Sequence, residues 1–206
     1  MKLDLHVHIK RNSSCAKREP LQVVKEAITN DIDGLVLLDH KYHATELDIF
    51  IMSPIKLFRG AEVHIKNKKR KVEDHVIVIT EKKIPFPLQI NSKDVNYLET
   101  FKSEDTLLFL AHPFRKSDIL SFDLEKFCPD AIEILSPNTP IDKMLSIESL
   151  SFQYHMPLLA CSDSHKAGRI GQWYIDTGNV SVNTYKQLAQ IVKSGAYELH
   201  GNYTYK

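Results

Sequence analysis

The sequence predicts an α/β fold built on a mainly parallel sheet, and three observations carry that reading. Strand-like and helix-like segments alternate along most of the 206 residues. Two strand segments, Leu35-Val-Leu-Leu38 and Thr106-Leu-Leu-Phe-Leu-Ala111, are continuous apolar runs, the pattern of strands covered on both faces. Chemically capable side chains then fall at or just after the C-terminal ends of strands: His8, His40, Glu62, His112 and the pair Asp163/His165. In a barrel of parallel strands those ends converge on one rim, where residues remote in sequence meet.

The first strand is Lys2-Leu-Asp-Leu-His-Val-His8. Strict alternation puts Asp4, His6 and His8 on one face and Leu3, Leu5 and Val7 on the other. A polar loop, 9–19, leads to Pro20, which suits the first turn of a helix. Residues 21, 24, 27 and 28 continue it at helical spacing until Asp33-Gly34 breaks it. Leu35–Leu38 is the next strand, and 43–52 is read as a short helix. A strand from Ile55 runs into Gly60-Ala-Glu62-Val-His64, and a basic turn separates it from His75-Val-Ile-Val-Ile79, so 62–79 reads as a hairpin or two adjacent strands. Helices are expected over 94–101, 123–127, 141–154 and 184–194. Strands are expected over 106–111, 131–135 and 157–161 and around Ile175, with a short edge strand in the tail from Tyr197.

The length suits one domain spanning 1–206 with a full-sized core. A formal net charge of +1 gives no global reason for binding nucleic acid or membrane. The basic run Lys66-Asn-Lys-Lys-Arg-Lys71 reads as a solvated hairpin tip. The longest apolar stretches fall far short of the ~20 residues a bilayer span needs, and the first residues do not form a signal-peptide pattern. Cys15, Cys128 and Cys161 match neither a disulfide framework nor a zinc-finger spacing. These features suit a cytoplasmic protein with reduced thiols.

The candidate metal ligands are His6, His8, His40, Glu62, His75, His112, Asp163 and His165. Imidazole and carboxylate without thiolate suit zinc, manganese or iron. Asp163 and His165 repeat the i, i+2 spacing of the first strand. Asp4, Asp39 and Asp74 lie near ligands and are candidates to hold a histidine's second ring nitrogen. Eight such groups exceed one tetrahedral site, and two or three cations sharing Glu62 would use them. Arg115 and Arg169, in loops of the presumed rim, are candidates for binding substrate phosphate, with Lys17, Arg18 and Lys41 weaker ones. His43, His64, His155 and His200 have no motif around them and read as surface or packing residues, with His43 and His64 the likelier exceptions because they lie close to ligands.

Asp4-Leu-His6-Val-His8, Gly34-Leu-Val-Leu-Leu-Asp39-His40, Gly60-Ala-Glu62, Asp74-His75, Ala111-His112-Pro113 and Ser162-Asp163-Ser164-His165 occur in the order and at the spacing of the PHP (polymerase and histidinol phosphatase) family, which the chain resembles over nearly its whole length. The resemblance implies a distorted seven-stranded (β/α) TIM-like barrel holding two or three divalent metals. It implies one metal on His6, His8, Glu62 and Asp163, and a second on Glu62, His75 and His112. His40 and His165 would hold a third or contact substrate. The loop 10–16 lacks the Asp or His with which the family often completes that third site, and Leu38 stands where threonine is common. The implied activity is hydrolysis of a phosphate ester, on a small phosphorylated or nucleotide-like substrate. Asp163 would serve catalysis, and His40 or His165 would protonate the leaving oxygen. Nucleic acid is expected as a possible substrate rather than a bound partner. Two alternatives remain: a non-catalytic module of a nucleic-acid-processing assembly, and a metal hydrolase for an amide or lactone.

Overall fold

A computed structural model describes residues 1–10, 16–39, 53–82, 84 and 88–201. Its strands are β1 Lys2–His8, β2 Gly34–Asp39, β3 Lys56–Asn67, β4 Val72–Ile79, β5 Gln89–Asn91, β6 Leu107–Ala111, β7 Ala131–Leu135, β8 Leu158–Ala160, β9 Trp173–Asp176 and β10 Glu198–Gly201. Its α-helices are α1 Pro20–Thr29, α2 Met144–Tyr154 and α3 Tyr185–Ser194, with 3₁₀ helices at Ser92–Phe101 and Ile141–Lys143. The strand order is β10-β9-β1-β2-β3-β4-β6-β7-β8, with β5 added to β3.

The sheet curls into a nearly closed barrel, as expected. The chain leaving β8 returns to β1, where the His8 amide donates to the Ser164 carbonyl at 3.0 Å and the Ser164 amide to the His6 carbonyl at 3.2 Å. Seven strands, β1, β2, β3, β4, β6, β7 and β8, form the wall. β4 departs from the parallel pattern, because it runs antiparallel to both β3 and β6. That inversion brings His75, near the start of β4, level with Ala111 at the end of β6.

The core has layers that follow the alternation. Val36 and Leu38 of β2 join Phe58, Ile77, Phe109 and Leu159 inside the barrel, over a floor made by Leu188, Ala189 and Val192 of α3. Leu35 and Leu37 face outward, against Val23, Val24 and Ala27 of α1. Each large side chain so buried contributes roughly 1.5–3 kcal/mol. α1 starts at Pro20 with a reciprocal Glu19/Gln22 capping box, and α3 starts at a Thr184/Gln187 box and ends on Gly195 at φ 68°.

β1 does not keep the expected alternation. Leu3 and Leu5 lie in the barrel interior, whereas Val7 and Ile9 pack outward on α1. The pairing with β2 slips between Asp4 and Val7, where Asp4 faces Leu35 but Val7 faces Leu37. A bulge adds one residue there, and one residue reverses every later side chain. The slip turns His6 and His8 inward and takes Asp4 off their face. The helix expected over 94–101 is present as a 3₁₀ helix that begins at Ser92, 123–127 makes only a turn, and 141–154 opens as a 3₁₀ turn. The expected helix at 43–52 lies outside the described residues.

Candidate metal centre

Six side chains from five segments meet at the rim. His6 and His8 come from β1, Glu62 from β3, His75 from β4, His112 from just beyond β6, and Asp163 from just beyond β8. The His6 and His8 Nε2 atoms are 3.0 Å apart. Asp163 Oδ1 is 3.2 Å from His6 Nε2 and 3.4 Å from His8 Nε2. Glu62 lies across the group, with Oε2 3.6 Å from His8 Nε2 and Oε1 3.3 Å from His112 Nε2 and 2.6 Å from His75 Nδ1. His6, His8, Glu62, His112 and Asp163 are all at most 5% exposed. Burial of so many ionisable groups is tolerable only with compensating charge.

Among the described residues the ligand atoms fall into three mutually close groups: His6/His8/Asp163, His6/Glu62/His112 and Glu62/His64/His75. Asp163 Oδ1 and His112 Nε2 are buried without a hydrogen bond of good geometry among the described residues. Buried imidazole nitrogen and carboxylate oxygen gathered in this way fit divalent cations.

Backbone strain collects at the same place. His112 has φ 28° and Asp163 φ 42°, in a region that β-carbon-bearing residues avoid. His112 also precedes Pro113, which favours extended backbone at that position. What holds His112 is visible: its amide donates to Glu133 Oε2 at 2.9 Å.

Electrostatics follow from the geometry. Burial opposes charge on His6, but Asp163, Glu133 and Glu62 outweigh it and raise its pKa to about 10. Burial likewise opposes charge on His75, and Glu62 with Glu73 raises its pKa to about 9. Burial disfavours the Asp163 carboxylate, yet His6, His165, His8 and His112 hold it well below the usual carboxylate range. The carboxylates thus keep protons on imidazoles where cations would bind.

His165 reaches the edge of the group. Its Nδ1 is 3.1 Å from the Asp163 carbonyl and 3.3 Å from Asp163 Oδ1, and its ring centre is 4.2 Å from that of His8. His40, Lys41 and His43 lie outside the described residues, as do Ser14 and Cys15. Arg169 packs its guanidinium 5.6 Å from the centre of the Trp173 ring, and Arg115 is exposed on the loop that leaves His112. Arg18, expected to be the weaker candidate, is the buried one. It donates to Ser164 Oγ, between Asp163 and His165, at 2.7 Å, and to Glu26. Glu26 Oε1 in turn accepts the amides of Gly168, Arg169 and Ile170 at 3.1–3.2 Å, fixing the loop after His165.

The aspartates expected behind the histidines act differently. Asp4 Oδ1 accepts the amides of His6 and Ser162, so it braces backbone, and burial raises its pKa to about 7. Asp74 accepts the Ser121 amide. The Asp39 side chain lies outside the described residues. The carboxylate that meets the His6 ring is Glu133, whose Oε2 is 3.4 Å from His6 Nδ1. The sequence carries a signal for it, since a lone carboxylate in Ala-Ile-Glu-Ile-Leu must be matched once that strand is buried. Asn138, which donates to Asp163 Oδ2, carries no such signal.

No family model matches the chain, and no curated protein sequence matches it. Solved structures do resemble it. PsfC from Pseudomonas syringae superposes with a TM-score of 0.65 at 17% identity, covering 91% of this chain and 87% of PsfC. A candidate metal-dependent phosphoesterase from Bifidobacterium adolescentis gives 0.58 at 11% identity, covering 94% and 96%. An amidohydrolase from Chromobacterium violaceum, crystallised with sulfate and no metal, gives 0.58 at 14% identity, covering 83% and 90%. At such identities the likeness establishes the shared barrel fold.

Proposed function

We propose that this chain is a metal-dependent phosphoesterase, with the PHP-type site expected from its motifs. The observation that carries the reading is the buried group of His6, His8, Glu62, His112 and Asp163, in which Asp163 Oδ1 and His112 Nε2 have no hydrogen bond of good geometry among the described residues. His6, His8 and Asp163 would hold one divalent cation, and Glu62 would be shared with a second. Bound divalent cations supply charge neutralisation for phosphoryl oxygens and acidify water toward neutral pH. Zinc, manganese and iron all suit the donor set.

The chain's own residues supply the rest. Glu133 orients the His6 ring and Asn138 the Asp163 carboxylate. His165 is 29% exposed at the side chain, and although burial opposes its charge, Asp163 raises its pKa. That shift favours the protonated ring, which can give its proton to a leaving oxygen at the rim. Arg115, open to solvent two residues beyond Pro113, is the arginine we assign to substrate phosphate.

A second reading, cleavage of a nucleic acid strand, is favoured by one feature. A cleft of about 950 Å³ opens beside the β3–β4 turn, lined by Lys68, Lys69, Arg70, Lys93 and Lys126 with Phe114 from the loop after His112. Backbone phosphates and bases suit such cations and an aromatic ring.

One panel tests both readings. The metal-loaded protein is offered an aryl phosphomonoester, a bis-aryl phosphodiester, a single-stranded oligonucleotide, an amide and a lactone. Turnover of a phosphate ester that Asp163→Asn and His112→Ala abolish is expected. Turnover of the amide or lactone alone refutes the phosphoesterase reading.

A further inference from the structure

We propose that His64 is a ligand of this centre, holding a divalent cation together with Glu62 and His75, and that Glu73 positions both rings. This rests on the reading of the rim as a metal site and goes beyond the ligand set the motifs imply, which pairs Glu62 and His75 with His112.

The inference starts from strand geometry. β3 is twelve residues long, and its pairing with β4 continues past the level where β6 ends. On β3, Val63 and Ile65 are buried in the outer apolar layer, so Glu62 and His64 share the opposite face. On β4, Val76 and Val78 belong to that same outer layer, and Glu73 and His75 share the other face. His64 and His75 are direct register partners, with ring centres 4.0 Å apart. The four side chains therefore form one patch that extends the rim along the hairpin.

The contacts within the patch are those of a ligand set with its outer support. Glu73 Oε1 is 2.6 Å from His64 Nδ1 and 3.1 Å from His75 Nε2, so one carboxylate receives an N–H from each ring. A carboxylate behind a metal-bound imidazole fixes which ring nitrogen carries the lone pair. With Nε2 of His75 so engaged, its Nδ1 lies 2.6 Å from Glu62 Oε1. Ligand atoms of Glu62, His64 and His75 all lie within 4.8 Å of one another. Two imidazoles and one carboxylate form a three-ligand set of the kind that leaves a coordination position open in catalytic zinc sites. His112, by contrast, groups with His6 and Glu62. His64 and Glu73 are 23% and 27% exposed at the side chain, so this end of the centre opens toward solvent.

The test uses the full chain, with Co²⁺ as the probe. Wild type, His64→Gln, Glu73→Gln and Asp163→Asn are loaded, dialysed against a graded series of chelator concentrations and assayed for cobalt per chain. The visible absorption of bound Co²⁺ reports changes in ligation, and circular dichroism checks folding. His64→Gln is expected to weaken one equivalent at least tenfold, to change its absorption and to leave the other equivalent in place. Glu73→Gln is expected to weaken the same equivalent less, and Asp163→Asn to remove the other. Unchanged cobalt affinity and absorption in folded His64→Gln overturn the proposal, as does equal loss of every equivalent. A wild-type protein that binds no cobalt overturns this proposal and the metal-site reading together.

Discussion

Removing the charge of Glu133 while keeping its shape tests how the centre is supported. Glu133 is fully buried on β7, and its Oε2 touches both the His6 ring and the His112 amide. Glu133→Gln keeps an oxygen that can accept from both, so it removes charge alone. Outer carboxylates of this kind are worth roughly 10–100-fold in metal affinity. At 1.36 kcal/mol per decade that is about 1.4–2.7 kcal/mol. Glu133→Ala also leaves the buried His112 amide without its acceptor, at a further cost to folding of roughly 1–3 kcal/mol. The strained backbone at His112, φ 28°, makes that site sensitive, because its conformation persists only while its surroundings enforce it.

The assay is competition with a chromophoric chelator, run across pH, alongside NMR titration of His6 in the metal-free protein. In wild type, Glu133 is one of the carboxylates that raise His6 to about 10. In Glu133→Gln the His6 pKa is expected to fall toward its ordinary 6.5, so the variant sheds the proton that competes with metal at lower pH. The affinity gap between the two proteins should then widen as pH rises. An unchanged affinity at every pH, with His6 still titrating near 10, would refute the role given to Glu133.

Metal binding at pH 7.5 should release about two protons per chain, from His6 and His75, measurable by calorimetry in buffers of different ionisation enthalpy; release of none refutes the charge state assigned to these rings. Both pKa values are raised on folding, so their contribution to metal-free stability is complete below about pH 6.5 and is lost as pH rises through about 9 and about 10. Denaturant unfolding with chelator present should therefore give a lower free energy at pH 10 than at pH 6.5. Glu26→Gln weakens charge-assisted bonds to the amides of 168–170 and should cost roughly 1.5–3 kcal/mol, seen as a lower Tm and faster amide exchange confined to that loop. Gly60→Ala would bring a β-carbon to 2.7 Å from Leu38 Cδ2 and 3.0 Å from the Val78 carbonyl, two residues before Glu62. It should destabilise by roughly 1–3 kcal/mol and weaken metal binding with it.

Much of this was legible in the sequence. The alternation of elements, the apolar strands and the polar residues at their ends predict a barrel with one functional rim. His6, His8, Glu62, His75, His112 and Asp163 do meet there. Three features were not legible, each for a physical reason. The β3–β4 hairpin agrees with the reading of 62–79, but nothing in the sequence shows that β4 also runs antiparallel to β6, because the period of two is the same in either chain direction. His64 lacks a motif, and it joins the group only because the antiparallel register sets it opposite His75. Arg18 reads only as a weaker phosphate candidate because nothing local to it reveals Glu26, eight residues on, or Ser164 across the barrel.

The two register slips carry the deeper point. One lies in β1, between Asp4 and Val7 beside His6, and the other in β7, between Glu133 and Leu135. His6 and Glu133 are the pair whose side chains meet behind the centre. Strict alternation in β1 would set the two imidazoles on the face opposite Leu3 and Leu5, which fill the interior, and so against α1. A regular strand with this sequence would therefore send either its leucines or its histidines the wrong way. The extra residue resolves the conflict by giving the lower half of the strand to the core and the upper half to the rim. On this reading, the change from apolar packing to metal-binding chemistry within β1 requires the irregularity, whereas Glu133 reaches His6 by ordinary alternation after Ala131, and the slip in β7 follows it.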